Sequence, residues 1–177
     1  MPTLLRHDPG MTNTGRQIGL LQLLAIRDGT APAAPIQDLL GFDLVDVSEG
    51  TAAFRYQPDA RHRNPLGTVH GGVAMTLLDS AAGAAVHSTL GDGDGYTTLE
   101  TKVNLVRAVR ATTGPLRAEG SVIHRGRTVA SAESRLISAD GTLYAHATST
   151  CLILHDTGRG ERPESAASSA RTDATTA

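Results

Sequence analysis

Apolar and polar residues alternate with a period that changes along the 177-residue chain. From about Thr14 to Arg27, Ile18, Leu21, Leu24 and Ile26 recur at helical spacing, and Gly29 and Pro32 end that short amphipathic helix. Pro35 leads into a further turn of helix, Ile36-Gln37-Asp38-Leu39-Leu40, stopped by Gly41. From residue 42 the period becomes two. Phe42, Leu44 and Val45 open a strand, Ser48-Glu49-Gly50 turns the chain, and Ala52, Phe54 and Tyr56 alternate in a second strand that Pro58 ends. Gly71 to Ser88 then carries Val73, Met75, Leu77, Leu78, Ala81, Ala82, Ala84, Ala85 and Val86. Apolar residues on nearly every side predict a buried helix. After the flexible loop Gly91–Gly95, strands are predicted over Tyr96–Val109, Leu116–His124, Thr128–Ser138 and Leu143–Leu154. Their turns are Thr113-Gly114-Pro115, Arg125-Gly126-Arg127 and Asp140-Gly141, the last a strong hairpin signal. Two strands, one central helix and four consecutive strands linked by short turns predict an α+β domain, an antiparallel sheet wrapped around one buried helix.

This divides the chain into an amino-terminal extension (1–34), the domain (35–154) and a tail (155–177). Beyond Leu154 alanine is the only apolar residue, so the tail is expected to be disordered. Aromatic residues make up only 3% of the chain, with no Trp, which argues against a stacking platform for single-stranded nucleic acid. A net charge of −2 leaves no basic excess for a phosphate backbone. The single Cys excludes an intramolecular disulfide and a multi-cysteine zinc site. No stretch approaches a membrane span, and Met1–Asp8 breaks before a signal-peptide core forms, so a cytoplasmic protein is expected.

The chemistry-bearing stretch is Asn64-Pro65-Leu66-Gly67-Thr68-Val69-His70-Gly71-Gly72, running straight into the helix. A helix start offers unpaired N–H donors that stabilise negative charge, on a bound anion or a developing oxyanion. The two glycines permit close approach there, and equally serve a sharp turn into a helix. Asp79 lies nine residues past His70 among apolar neighbours, with no Lys or Arg three or four residues away. Such a carboxylate must be solvated by a cleft, paired from elsewhere or strained. A cleft carboxylate with donors at the helix start fits acid–base or nucleophilic work on a carbonyl.

With Leu77-Leu78-Asp79, Tyr96-Thr97-Thr98-Leu99-Glu100, Val103-Asn104-Leu105, Arg107 and the Gly126-Arg127 turn, the pattern resembles the hotdog-fold acyl-CoA thioesterases of the phenylacetate-pathway (PaaI-like) type, from about Pro35 to Leu154. The resemblance implies a hotdog fold, a homodimer or homotetramer, and active sites at the subunit interface. It implies that the Gly71 N–H polarises the thioester carbonyl, that Asn64 and His70 orient the thioester and its water, and that Thr98 aligns that water. Asp79, from the partner subunit, would be general base or direct nucleophile, yielding a carboxylic acid and coenzyme A. Arg107, Arg125 and Arg127, with Gly72 and Gly126, fall where relatives contact the coenzyme A nucleotide, although a solvated charged surface accounts for any one arginine as well. No metal or other cofactor is implied.

Ala82, Gly83 and Val86 follow Asp79 on one helix face, where small residues either leave room for an acyl or aryl group or seat the helix close to the sheet; the second is expected. His62, His70 and His87 lack a metal-ligand spacing, and Cys151 has no activating charge beside it. No Gly-x-Ser-x-Gly elbow is present. The alternatives are a hotdog-fold dehydratase or hydratase, whose motifs generally differ, and a non-catalytic acyl-CoA-binding module, which would be expected to lack Asp79. The amino-terminal helix is expected to cover either the acyl pocket or the sheet edge.

Overall fold

A computed structural model describes residues 18–155. The expected helix start at Thr14 and the tail beyond His155 lie outside the described residues. Helix α1 spans Ile18–Arg27 and α2 spans Pro35–Leu40. Pro35 at the first helical position starts α2, Gln37 Oε1 accepts the Ala34 N–H at 3.2 Å, and Gly41 ends it in the left-handed region at φ 64°.

The six strands are β1 (Phe42–Ser48), β2 (Thr51–Tyr56), β3 (Gly95–Leu105), β4 (Leu116–Arg125), β5 (Val129–Ser138) and β6 (Leu143–Leu154). They form one antiparallel sheet in the order β1-β2-β4-β5-β6-β3. Helix α3 (Gly71–His87) packs across it. Only β4, β5 and β6 form the expected meander. β3 instead crosses to the far edge and pairs with β6, while β4 returns to β2. The strand expected to reach Val109 stops at Leu105. The Val106 and Arg107 N–H groups both donate to the Tyr144 carbonyl, and Val109 turns inward to accept from Val69 N–H at 2.8 Å, so the loop entering α3 captures the end of that run.

Leu77, Leu78, Ala81, Ala82, Ala85 and Val86 of α3 are fully buried. The small residues seat the helix on the sheet: Ala82 and Val86 pack with Ala130, Ala132 and Cys151, and the space beside Gly83 is filled by the Tyr96 hydroxyl. Gly120 of β4 lies directly under the Ala81 carbonyl. α1 packs on β1, the opposite sheet edge, and its Gly19 abuts the His87 carbonyl, while His87 Nε2 and Gln22 Oε1 lie 2.8 Å apart. Burial lowers the His87 pKa, so the neutral ring donates to Gln22. Of the two expectations for this helix, the sheet edge is the one it covers.

Ser134, 1% exposed, has a hydroxyl with no partner among the described residues. A buried hydroxyl without a bond costs free energy, so Ser134→Ala is expected to stabilise the domain by about 1 kcal/mol, seen as a higher melting temperature.

Candidate active site

The loop before α3 is shaped by its own polar groups. Asn64 Oδ1 accepts from the Leu66 and Thr68 N–H groups at 3.0 and 3.2 Å, and its Nδ2 donates to Thr68 Oγ1 at 2.9 Å. Gly67, at φ 80°, takes the turn, and Arg63 bridges Val69. Asn64 therefore spends its amide oxygen and one amide hydrogen on the loop rather than presenting the whole group to a ligand. His70 is the N-cap of α3, its Nδ1 accepting from the Gly72 N–H at 2.9 Å. That leaves the Gly71 N–H, which has no acceptor among the described residues, as the free donor at the head of a 17-residue helix. A Cβ on Gly71 would lie 2.7 Å from Leu105 Cδ1, so the leucine packs directly against the glycine beside this donor.

Asn64, His70, Gly71 and Arg107 line one cavity of about 200 Å³. Its apolar lining comes from Ala74, Val109, Leu136 and Ala145, and Tyr144 and Leu105 stand beside them. Of these, Asn64, His70, Gly71, Leu105 and Arg107 belong to the stretches that sequence reasoning singled out. Leu136, Tyr144 and Ala145 come from strands far along the chain and carry no local signal.

Asp79 and Thr98 do not line this cavity. Asp79 is half-buried on the one stripe of α3 that the sheet leaves uncovered, with Met75 exposed a turn earlier. Eight residues of helix separate it from Gly71, about 12 Å along the axis. Its Oδ1 accepts from Thr101 Oγ1 at 2.9 Å, and Thr101 lies 3.2 Å from Ser149 Oγ. Thr98 pairs across to Cys151, where burial pushes the thiol pKa up and the Ser149 and Thr98 hydroxyls pull it back. Burial first, then the nearby Cys151 and Asp79, push the Tyr96 phenol up to about 12, so it stays a neutral hydroxyl. Thr101 and Ser149 are residues that the sequence analysis missed.

The Arg125-Gly126-Arg127 turn joins β4 to β5 at the Gly95 end of β3, whereas Gly71 meets its Leu105 end. Ten residue steps along β3 separate the two ends, about 30 Å, so one chain does not bring these arginines to the Gly71 donor. Arg125 NH1 donates to the Gly126 carbonyl. His155 braces the turn: Nε2 lies 2.7 Å from the Arg127 carbonyl and Nδ1 2.9 Å from the Asp94 carboxylate. Both partners only accept, so the ring must be an imidazolium. The Arg127 carbonyl and then Asp94 raise its pKa, against smaller opposing effects of desolvation and then of Arg125. A raised value means stabilisation complete below the ordinary 6.5 and lost as pH rises through the folded value. The melting-temperature advantage of wild type over His155→Gln is accordingly expected to be full below pH 6.5 and to shrink as the pH is raised above it.

A family model described as "Thioesterase superfamily" matches residues 66–145, from the loop before α3 into β6. A Halobacterium salinarum protein named provisionally as an esterase is 33% identical over 126 residues, spanning 68% of this chain and 78% of the relative. The chain belongs to the thioesterase superfamily. Its fold agrees: a phenylacetic acid degradation-related protein of Ralstonia eutropha, provisionally a thioesterase, superposes with a TM-score of 0.67 at 32% identity, covering 74% of this chain and 98% of that one. A 1,4-dihydroxy-2-naphthoyl-CoA hydrolase of Listeria monocytogenes is 26% identical over 93 residues, 52% of this chain and 74% of its own. The superfamily's hotdog architecture, a sheet around one long helix, is the one described above, and its common activity is thioester hydrolysis. Among the described residues no helix is long and apolar enough to cross a membrane, and no cluster of three His, Cys, Asp or Glu is arranged to hold a metal.

Proposed function

We propose that the chain is an acyl-CoA thioesterase whose active site is assembled from two copies, the carbonyl oxygen bound by the Gly71 N–H of one and attacked under the control of Asp79 of the other. The observation that carries this reading is the separation just described. The free donor and the half-buried carboxylate stand on one rigid helix, about 12 Å apart, too far for both to reach one carbonyl carbon within a chain.

The second copy would dock along β3. Among the described residues β3 is an unpaired edge of 11 residues, and beside it Leu99, Leu105 and Met75 are 59%, 52% and 46% exposed. A two-fold pairing along that edge would carry the Arg125–Arg127 turn of one copy toward the Gly71 end of the other. There the two arginines, with Arg107 at the cavity mouth, would meet the phosphates of coenzyme A.

In the reaction, the Gly71 N–H and the start of α3 stabilise the oxyanion as the tetrahedral carbon forms. Asp79 either takes a proton from the attacking water or adds to the carbonyl itself, to be released by water afterwards; in both routes the tetrahedral carbon collapses by breaking its C–S bond, and coenzyme A leaves as a thiolate that takes up the proton released from water. The apolar floor of the cavity suits the non-nucleotide part of the substrate, in keeping with the aryl-CoA named for the Listeria relative. Thiol release from a panel of aryl- and alkyl-acyl-CoA thioesters, with the mass of the assembly measured in parallel, tests this reading. Turnover by an obligate monomer would overturn the shared site, and no thiol release from any member of the panel would overturn the activity.

A further inference from the structure

We infer that Thr101, held by Ser149, is a positioning residue that fixes the Asp79 carboxylate and selects which of its oxygens reacts. The inference rests on the thioesterase reading above. Strand β3 has a bulge at Leu99, where the pairing with β6 slips between Thr98 and Glu100. Before it, Tyr96 and Thr98 face the helix; after it, Thr101 and Val103 do, and Glu100 is exposed. A regular strand would put Glu100 on the helix side and Thr101 on the other. The bulge thus delivers a second threonine to α3, and it is this one that meets Asp79. Thr98, paired with Cys151, has no bond to Asp79 among the described residues.

The protons along this chain have one consistent arrangement. An ionised carboxylate only accepts, so Thr101 Oγ1 donates its one proton to Asp79 Oδ1 at 2.9 Å. The contact between Thr101 and Ser149, 3.2 Å, must then have Ser149 as donor. Ser149 shares that proton with the Glu100 carbonyl, 3.1 Å away. The order Ser149 to Thr101 to Asp79 occupies Oδ1, while Oδ2 has no partner among the described residues. Oδ2 is therefore the oxygen that takes the proton from water or attacks the carbonyl. Threonine suits the role because its branched Cβ restricts χ1 and holds the hydroxyl in place.

The test is steady-state kinetics of full-length Thr101→Val, Thr101→Ser and Ser149→Ala on the best thioester of the panel. Valine keeps the shape and removes the hydroxyl. Its kcat is expected to fall roughly tenfold or more with KM within about twofold of wild type, because the bond lost serves the carboxylate and not substrate binding. Serine is expected to recover most of that loss, and Ser149→Ala to show a smaller loss, since it acts through Thr101. A residue that merely supported the fold would lower the melting temperature and leave kcat unchanged, and would show no recovery with serine. Wild-type kcat in Thr101→Val, or no recovery in Thr101→Ser, would overturn the positioning role alone. Should Thr101→Val fail to fold, wild-type kcat in Ser149→Ala would do so. Inactivity of the wild type on every thioester would instead remove the thioesterase reading and this role with it.

Discussion

Asp79→Asn and Asp79→Ala are both expected to lower thioester hydrolysis by at least about 10²-fold, the usual loss when a general base is removed. The two variants separate chemistry from structure. Asparagine retains the volume of aspartate and an oxygen that can accept the Thr101 bond, yet its amide is neither base nor nucleophile. Alanine removes that oxygen as well and leaves the Thr101 hydroxyl without its acceptor. Equal losses in both, with unchanged melting temperature and assembly mass, would place the effect on the reacting carboxylate. Glu100, the acidic residue of β3, points away from α3 and is exposed, so it is not positioned to substitute. Wild-type rates in Asp79→Asn would refute the carboxylate's role even if the activity itself were found.

The largest effect on stability is expected from Gly120→Ala, in the middle of β4. A methyl group there would overlap the Ala81 carbonyl of α3 and crowd the Ala82 nitrogen at 2.8 Å. Both obstacles are main chain of a helix whose sheet-facing residues are buried, so no side-chain rotation relieves them. The helix must lift from the sheet, at a cost of about 3 kcal/mol or more. For a domain of this size that is a fall in melting temperature of about 10 °C, measurable by calorimetry. Because α3 carries both Gly71 and Asp79, whatever Gly120→Ala protein folds is also expected to lose activity. An unchanged melting temperature would mean that the helix rides further from the sheet than described.

The elements were recoverable from the chain because their causes are local. Pro35 and Gly41 bracket α2, Gly50 and Gly141 take the turns their left-handed φ requires, and Gly71–Ser88 was bounded to within one residue. The motif around His70 was similarly visible, since a helix cap and its glycines act over a few residues. Less was visible of what surrounds it. The cavity floor draws on Leu136, Tyr144 and Ala145, which are far from His70 in sequence. The Thr98–Thr101 pair violates the two-residue period that marks a strand face, and only the bulge at Leu99 explains it.

The amino-acid sequence by itself determined the helix and strand segments, the α+β class, the free donor at the head of α3 and the carboxylate two turns along it. These depend on side-chain period, backbone freedom and capping between near neighbours. The tertiary structure alone decided that β3 crosses to pair with β6, that a slip in that pairing brings Thr101 to Asp79, and that Gly71, Asp79 and the Arg125–Arg127 turn stand well apart in one chain. Those outcomes are set by pairing between segments distant in sequence, where register and packing against the helix select among strand orders that the local pattern leaves equally open.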